Sequence, residues 1–376
     1  MGLALSGGGY RATLFGLGSL WRLNDAGLLG RLDRITGVSG GAIVLGVLAH
    51  AWRQLRFADG RASNFAEVVA APVRRLCSST IDIGAGVAGT LVPGKSAGEF
   101  LADRYRQDLF GDTGLKALPS LADGAPIFIF YATNLQTGRS FRFRQDYIAD
   151  YMLGMAHNVD IALAVAVAAS SAFPPIFSPV VLKTDPAAWT EGSALPELDA
   201  LRRRIVLADG GVYDNMGLEA LVGRHDGNGA ALEAGDANKV DIVLASDAGA
   251  PFEVEDSPHE DKLRQLGRVR DILIDQTRAL RKRWLVAEFT AKRQRGAYWG
   301  IGTRMAAFAP GAPRMAVDSA ASDALKQVPT RLAAFDDERQ GQLINWGYAL
   351  CDISLRANAG LAPPLPSGWP VPEWPL

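Results

Sequence analysis

The sequence predicts an α/β fold, and three observations support it. Leu3-Ala4-Leu5 reads as a short buried strand, followed by Ser6-Gly7-Gly8-Gly9 and a helix over about Ala12–Asn24. Ile35-Thr36 repeats the unit: strand, the turn Gly37-Val38-Ser39-Gly40-Gly41, then an apolar helix to about Leu55. Farther on, Ile205–Ala208 and Val240–Ala245 are apolar throughout, as buried strands of a parallel sheet tend to be.

The elements follow in order. In the first helix Leu14, Leu17, Leu20 and Trp21 fall on one face at helical spacing. Ile127–Asn134 is a strand by its β-branched and aromatic content, and Ser140–Phe143 returns as its hairpin partner across Leu135–Gly138. Ile161–Ser170 is an Ala/Val-rich helix that ends before Pro174-Pro175. Arg224–Asn238 is polar and Gly/Ala-rich, and reads as a loop. Residues 261–289 read as one long amphipathic basic helix, or two, with Leu263, Leu266, Leu273, Leu280 and Trp284 at helical spacing. Its cations could attract lipid headgroups, but a solvated face is the commoner use of such a helix. A late strand near Tyr298–Gly302, two short helices and a proline-rich tail complete the chain.

Composition sets limits. The chain has 376 residues, 48% hydrophobic and 21% charged, so it can bury a large core; length alone suggests about 2 domains. A formal net charge of −1 gives no global field for nucleic acid. Two cysteines, Cys77 and Cys351, make neither a disulfide framework nor a metal set. The four histidines form no zinc pattern, so no metal is expected. No signal peptide is evident, and the longest apolar run, Ile161–Ala169, is far short of the roughly 20 residues that span a bilayer. A cytoplasmic protein is expected, with at most peripheral contact to a membrane.

The chemistry centres on Ser39. A serine at the tip of a strand-to-helix turn is exposed to attack a substrate, and Gly37 and Gly41 let neighbouring backbone approach it. The following helix N-terminus favours the negative charge a nucleophile develops. The plainer reading is an N-cap serine in a tight turn. The loop Gly7–Ala12 is open to three readings: an oxyanion hole of backbone N–H groups, a dinucleotide fingerprint with Asp33 as its acid, or a simple turn. Gly89–Ser96 matches the phosphate-loop pattern G-x-x-x-x-G-K-[ST], but Pro93 lacks an N–H and Leu91-Val92 are bulky. Asp209-Gly210-Gly211 follows a buried strand, where Asp209 is either a general base or a turn aspartate; Asp214 and Asn215 are equally divided between capping and orienting roles. His225 and His259 lie in polar sequence without a strand to aim them, which points to Asp209 acting directly on Ser39.

The combination resembles the patatin-like phospholipase family. The resemblance rests on Gly7-Gly8-Gly9-Tyr10-Arg11-Ala12, Gly37-Val38-Ser39-Gly40-Gly41 and Asp209-Gly210-Gly211, with further likeness in Ala132–Gly138 and Ala169–Pro175. It implies a three-layer α/β/α sandwich with a mainly parallel sheet. It also implies a Ser39–Asp209 dyad, an oxyanion hole from Gly7, Gly8 and Gly9 with Arg11 nearby, and hydrolysis of acyl esters of phospholipids, lysophospholipids or acylglycerols without metal or cofactor. The expected layout is a catalytic domain over residues 1–310, with a cap or lid insertion near 57–123. Residues 311–376 would be a helical extension and proline-rich tail packed on it. The rivals are a nucleotide enzyme using Gly7–Ala12 or Gly89–Ser96, and a catalytically inactive lipid-binding module.

Overall fold

The computed structural model describes residues 1–81, 96–222, 240–252, 254–257, 261–309 and 311–376. Among them, eleven strands form one mixed sheet: β1 (Gly2–Leu5), β2 (Arg34–Val38), β3 (Ile127–Asn134), β4 (Arg139–Phe143), β5 (Tyr147–Asp150), β6 (Gly154–His157), β7 (Val180–Lys183), β8 (Trp189–Thr190), β9 (Arg204–Asp209), β10 (Ile242–Asp247) and β11 (Arg295–Gly300). The order is β8-β6-β5-β4-β3-β2-β1-β10-β11, with β9 paired to β3 and β7. The centre, β3-β2-β1-β10-β11, is parallel, as the apolar strands require. An antiparallel wing of hairpins extends it, beginning with the β3–β4 pair in which Phe130 faces Phe143 and Asn134 faces Arg139.

Helices cover both faces. On one side lie α1 (Gly9–Asp25), α2 (Gly40–Ala51), α3 (Ala97–Tyr105), α4 (Leu163–Ser171) and, after α5 (Lys262–Thr290) on the other side, the C-terminal α6 (Asp337–Ala357). Period-2 alternation assigns the faces. Leu3 and Leu5 of β1 enter the large core, while Ala4 between them joins Met216, Leu218, Val243, Ala245 and Leu285 on the α5 side. The result is three layers, helices–sheet–helices. The helix α6 docks on α1 through a buried Arg22–Asp352 ion pair at 2.8 Å, in which both side chains are 1% exposed. Desolvation offsets much of the attraction in a buried pair of this kind, so its net contribution to stability is small, while removing one partner would leave an uncompensated buried charge.

Several boundaries differ from expectation. The helix expected from Ala12 starts at Gly9, because the glycine turn itself is the helix N-terminus. The second of the two short C-terminal helices is the 21-residue α6. In the expected insertion, Leu76, Cys77 and Ile81 are buried, so this part is packed core; residues 82–95 lie outside the described residues.

Candidate active site

Two strands meet end to end beside β3. The parallel partner β2 pairs with β3 up to Val38 opposite Tyr131. From the other direction β9 runs antiparallel to β3 and stops at Asp209 opposite Ala132, the next register position. Ser39 follows Val38 and Asp209 closes β9, so the chain ends of two opposed strands converge. Asp209 was expected at the C-terminal end of a parallel strand. It does stand at a strand C-terminus, but β9 is antiparallel, and it is this reversal that aims the carboxylate at Ser39. Ser39 lies close enough to the Asp209 carboxylate to pull its pKa down against burial, and Asp209 Oδ1 accepts the Gly211 N–H at 2.7 Å.

Ser39 has φ 51° and ψ −119°, a strained conformation for a non-glycine residue at the start of α2. The helix begins at Gly40, and close packing there is severe. A Cβ on Gly41 would lie 2.3 Å from the Leu5 carbonyl oxygen. The end of α4 holds both halves of the site. The Ser39 N–H donates to Ser170 Oγ at 2.9 Å, the Gly210 N–H to the Ser170 carbonyl at 3.1 Å, and the Asp209 N–H to the Ala172 carbonyl at 3.0 Å. Thr133 Oγ1 adds a bond to the Asp209 carbonyl at 2.8 Å. Gly37 packs against Ala42 of α2, and Gly210 against the Tyr131 carbonyl.

The loop before α1 faces Ser39; a Cβ on Gly7 would lie 3.1 Å from that of Ser39. Its four expected contributors divide. The Gly7 N–H donates to the Asn215 carbonyl at 3.0 Å, so it is engaged within the protein. Arg11 is 1% exposed, and its guanidinium donates to the carbonyls of Ala248 and Val328 and to Thr330 Oγ1, which makes it a strut between α1 and two loops. Burial, helped by Arg278, pulls its pKa down to about 10. The N–H groups of Gly8 and Gly9 have no backbone acceptor among the described residues, as expected of the first turn of a helix. Gly9 has φ 57°, and its Cα hydrogen side is closed by Arg331, whose carbonyl oxygen would lie 2.4 Å from an added Cβ.

Ser39 and Asp209 open into a pocket of about 520 Å³. Its walls combine Phe173, Ile176, Phe177, Ile274 and Leu332 with the arginines Arg268, Arg270, Arg278 and Arg331. Asp209 is 2% exposed, and burial raises its pKa to about 7 against the opposing pull of Ser39 and the Gly211 N–H. A carboxyl poised there can both take and return a proton near neutral pH. Among the described residues no histidine lines the pocket, and no group of three His, Cys, Asp or Glu is arranged around a metal-sized space.

The competing motifs fare differently. Asp33, the acid the dinucleotide reading needs, precedes β2 at the end of the sheet opposite the glycine loop, where it pairs with the N-terminal ammonium. Residues 89–95 of the phosphate-loop match, His225 and His259 lie outside the described residues; Ser96 caps α3 in a capping box with Glu99. Asp214 accepts the N–H groups of Met216 and Leu218, the capping role. Asn215 instead turns its amide oxygen toward Gly7 and Gly211. Ser170 falls in the Ala169–Pro175 block that carries part of the resemblance, but the sequence assigns it no role; a polar pair closing an otherwise apolar helix is its signal.

The site thus combines a serine on a strained strand-to-helix turn with a buried carboxylate at the next register position, on a mixed sheet layered between helices. The chain belongs to the patatin-like phospholipase family, whose sequence pattern matches residues 3–222. A 45-residue stretch is 49% identical to the putative meiotic phospholipase SPO1 of Saccharomyces cerevisiae, covering 12% of this chain and 7% of that protein. Among solved structures, human GIVD cytosolic phospholipase A2 aligns over 94% of this chain and 58% of its own, at 12% identity and TM-score 0.49. VipD from Legionella pneumophila aligns over 95% and 67%, at 15% identity and TM-score 0.40.

Proposed function

We propose that the protein hydrolyses fatty acyl esters of lipids through a Ser39–Asp209 dyad. The observation behind this reading is the end-to-end meeting of β2 and β9, which sets Ser39 against a carboxyl with a pKa of about 7 in a pocket with apolar walls. Ser39 Oγ attacks the ester carbonyl while Asp209 takes its proton. The oxyanion forms against the Gly8 and Gly9 N–H groups, each such donor contributing ~2.7–4 kcal/mol to the transition state. Collapse returns the proton to the leaving alkoxide and leaves an acyl-serine. Asp209 then deprotonates water, which attacks the acyl carbonyl, and Ser39 leaves reprotonated.

The mouth of the pocket supports peripheral contact with a lipid surface. Ile176 and Phe252 line it yet are 47% and 38% exposed, and α5 next to it exposes Leu266, Val269 and Leu273. No helix among the described residues is long and apolar enough to cross a membrane.

Labelling with a long-chain fluorophosphonate tests the dyad. Wild type should carry the probe on Ser39, and Ser39→Ala and Asp209→Ala should not. Ester turnover that survives Ser39→Ala would end the proposal. Labelling that survives Asp209→Ala but is lost in His225→Ala or His259→Ala would replace the dyad with a histidine base.

A further inference from the structure

Five arginines line the pocket: Arg11, Arg268, Arg270, Arg278 and Arg331. Four have partners. Arg11 is held by two carbonyls and a threonine hydroxyl. Arg268 pairs with Glu255 at 3.4 Å and lies 4.1 Å over the Phe252 ring. Arg270 binds Asp271 and the Pro174 carbonyl. Arg278 sits between Asp247 and Asp275 and donates to the Ala250 carbonyl. Arg331 is exposed and has no hydrogen-bond or ion-pair partner for its guanidinium among the described residues.

Its backbone, by contrast, is fixed against the catalytic loop. The Tyr10 N–H donates to the Arg331 carbonyl at 3.0 Å, and the Arg331 N, C and O atoms all stand within 3 Å of the place a Cβ on Gly9 would occupy. The guanidinium is therefore tethered one side chain's length from the Gly8–Gly9 amides, on a residue that lines the pocket holding Ser39. A free cation anchored beside the site of ester attack suits a substrate with an anion a few bonds from its ester carbonyl. Acylated glycerol phosphates have this layout, because phosphate and acyl groups share one glycerol. An arginine fork binds phosphate oxygens in pairs.

We infer that Arg331 is a specificity-determining residue that binds the phosphate of the substrate, selecting acylated glycerol phosphates over neutral acylglycerols. The inference rests on the pocket being the lipid acyl-hydrolase site. It places the selectivity outside residues 3–222, on a loop after the core motifs, and assigns Arg11 to the scaffold.

The test compares kcat/KM on lysophosphatidic acid with that on a monoacylglycerol of the same chain. Wild type should favour the phosphate substrate. Arg331→Ala should lower the ratio of the two about tenfold, mainly through KM, as expected for one lost charge-assisted contact. Arg331→Glu should lower it further, and Arg331→Lys should keep most of it. An equal loss on both substrates would make Arg331 structural and overturn the inference, as would an unchanged ratio. Glycerol 3-phosphate should inhibit wild type better than inorganic phosphate; equal inhibition would mark a free-anion site and remove the substrate assignment. Calorimetric binding of lysophosphatidic acid to Ser39→Ala, with and without Arg331→Ala, reads the same contact without turnover. Arg331-dependent binding by a chain whose wild type hydrolyses nothing would refute the hydrolase reading and overturn the specificity assignment with it, whereas hydrolysis with Arg331-independent binding would overturn this inference alone.

Discussion

Replacing Asp209 by Asn should stabilise the protein above neutral pH while abolishing turnover. The carboxyl is 2% exposed, and burial raises its pKa to about 7 from an ordinary 3.8. The native state therefore holds a proton that the unfolded chain releases over the window between these two values. Stability from this group is fully present below the unfolded pKa and is lost as pH rises through the native one. Three units correspond to about 4 kcal/mol against the ionised form by about pH 8. That is a sizeable share of the roughly 5–15 kcal/mol by which a protein is stable. Asn is neutral at every pH, and its amide oxygen can still accept the Gly211 N–H. Thermal unfolding of wild type and Asp209→Asn across pH provides the assay. Near pH 8 the variant should melt about 5 °C higher, given the unfolding entropy of a chain this long. The gap should close as pH falls toward about 4. A gap that is constant in pH, or a variant less stable at high pH, would refute the claim that Asp209 is a buried carboxyl with a raised pKa.

The same protonation should appear in rate. At pH below about 7, kcat/KM on a soluble ester should rise about tenfold per unit and then level, and a plateau extending down to about pH 5 would exclude Asp209 as the base. Ser39→Gly should relieve the strain at φ 51° and raise stability by about 1–3 kcal/mol relative to Ser39→Ala, both being inactive; equal melting temperatures would show that the turn stores no strain. Ser170→Ala should cost about 1–3 kcal/mol by leaving the Ser39 N–H without its buried acceptor, and should lower kcat more than KM; unchanged kcat would make the contact incidental. Gly9→Ala should abolish activity while a melting curve still reports folded protein, since the added Cβ must displace the Arg331 backbone that closes the amide pair; retained turnover would remove Gly9 from the oxyanion site.

Much of this architecture is local and therefore legible in sequence. Strand, glycine turn and helix follow one another within residues 2–51, so their glycines and apolar runs mark them without tertiary information. The β3–β4 hairpin is equally local, its strands separated by a four-residue turn. The short strands β5 to β8 were not legible, because four-residue and two-residue segments owe their form to cross-strand partners more than to their own propensity.

What the sequence by itself determined is the inventory: an α/β chain, a serine and an aspartate each at a strand end, and a glycine loop before a helix. Only the tertiary structure decided how they combine. The direction of β9 is set by its pairing with β3 and β7, and that antiparallel course brings Asp209 to Ser39 across 169 intervening positions of chain. The division of labour in the loop was decided the same way. Gly7 and Arg11 are engaged by Asn215, Ala248, Val328 and Thr330, while the Gly8 and Gly9 N–H groups have no backbone acceptor among the described residues. The physical reason is that an atom's availability for chemistry depends on which groups already satisfy it, and for these residues the satisfying groups come from segments more than 200 positions away.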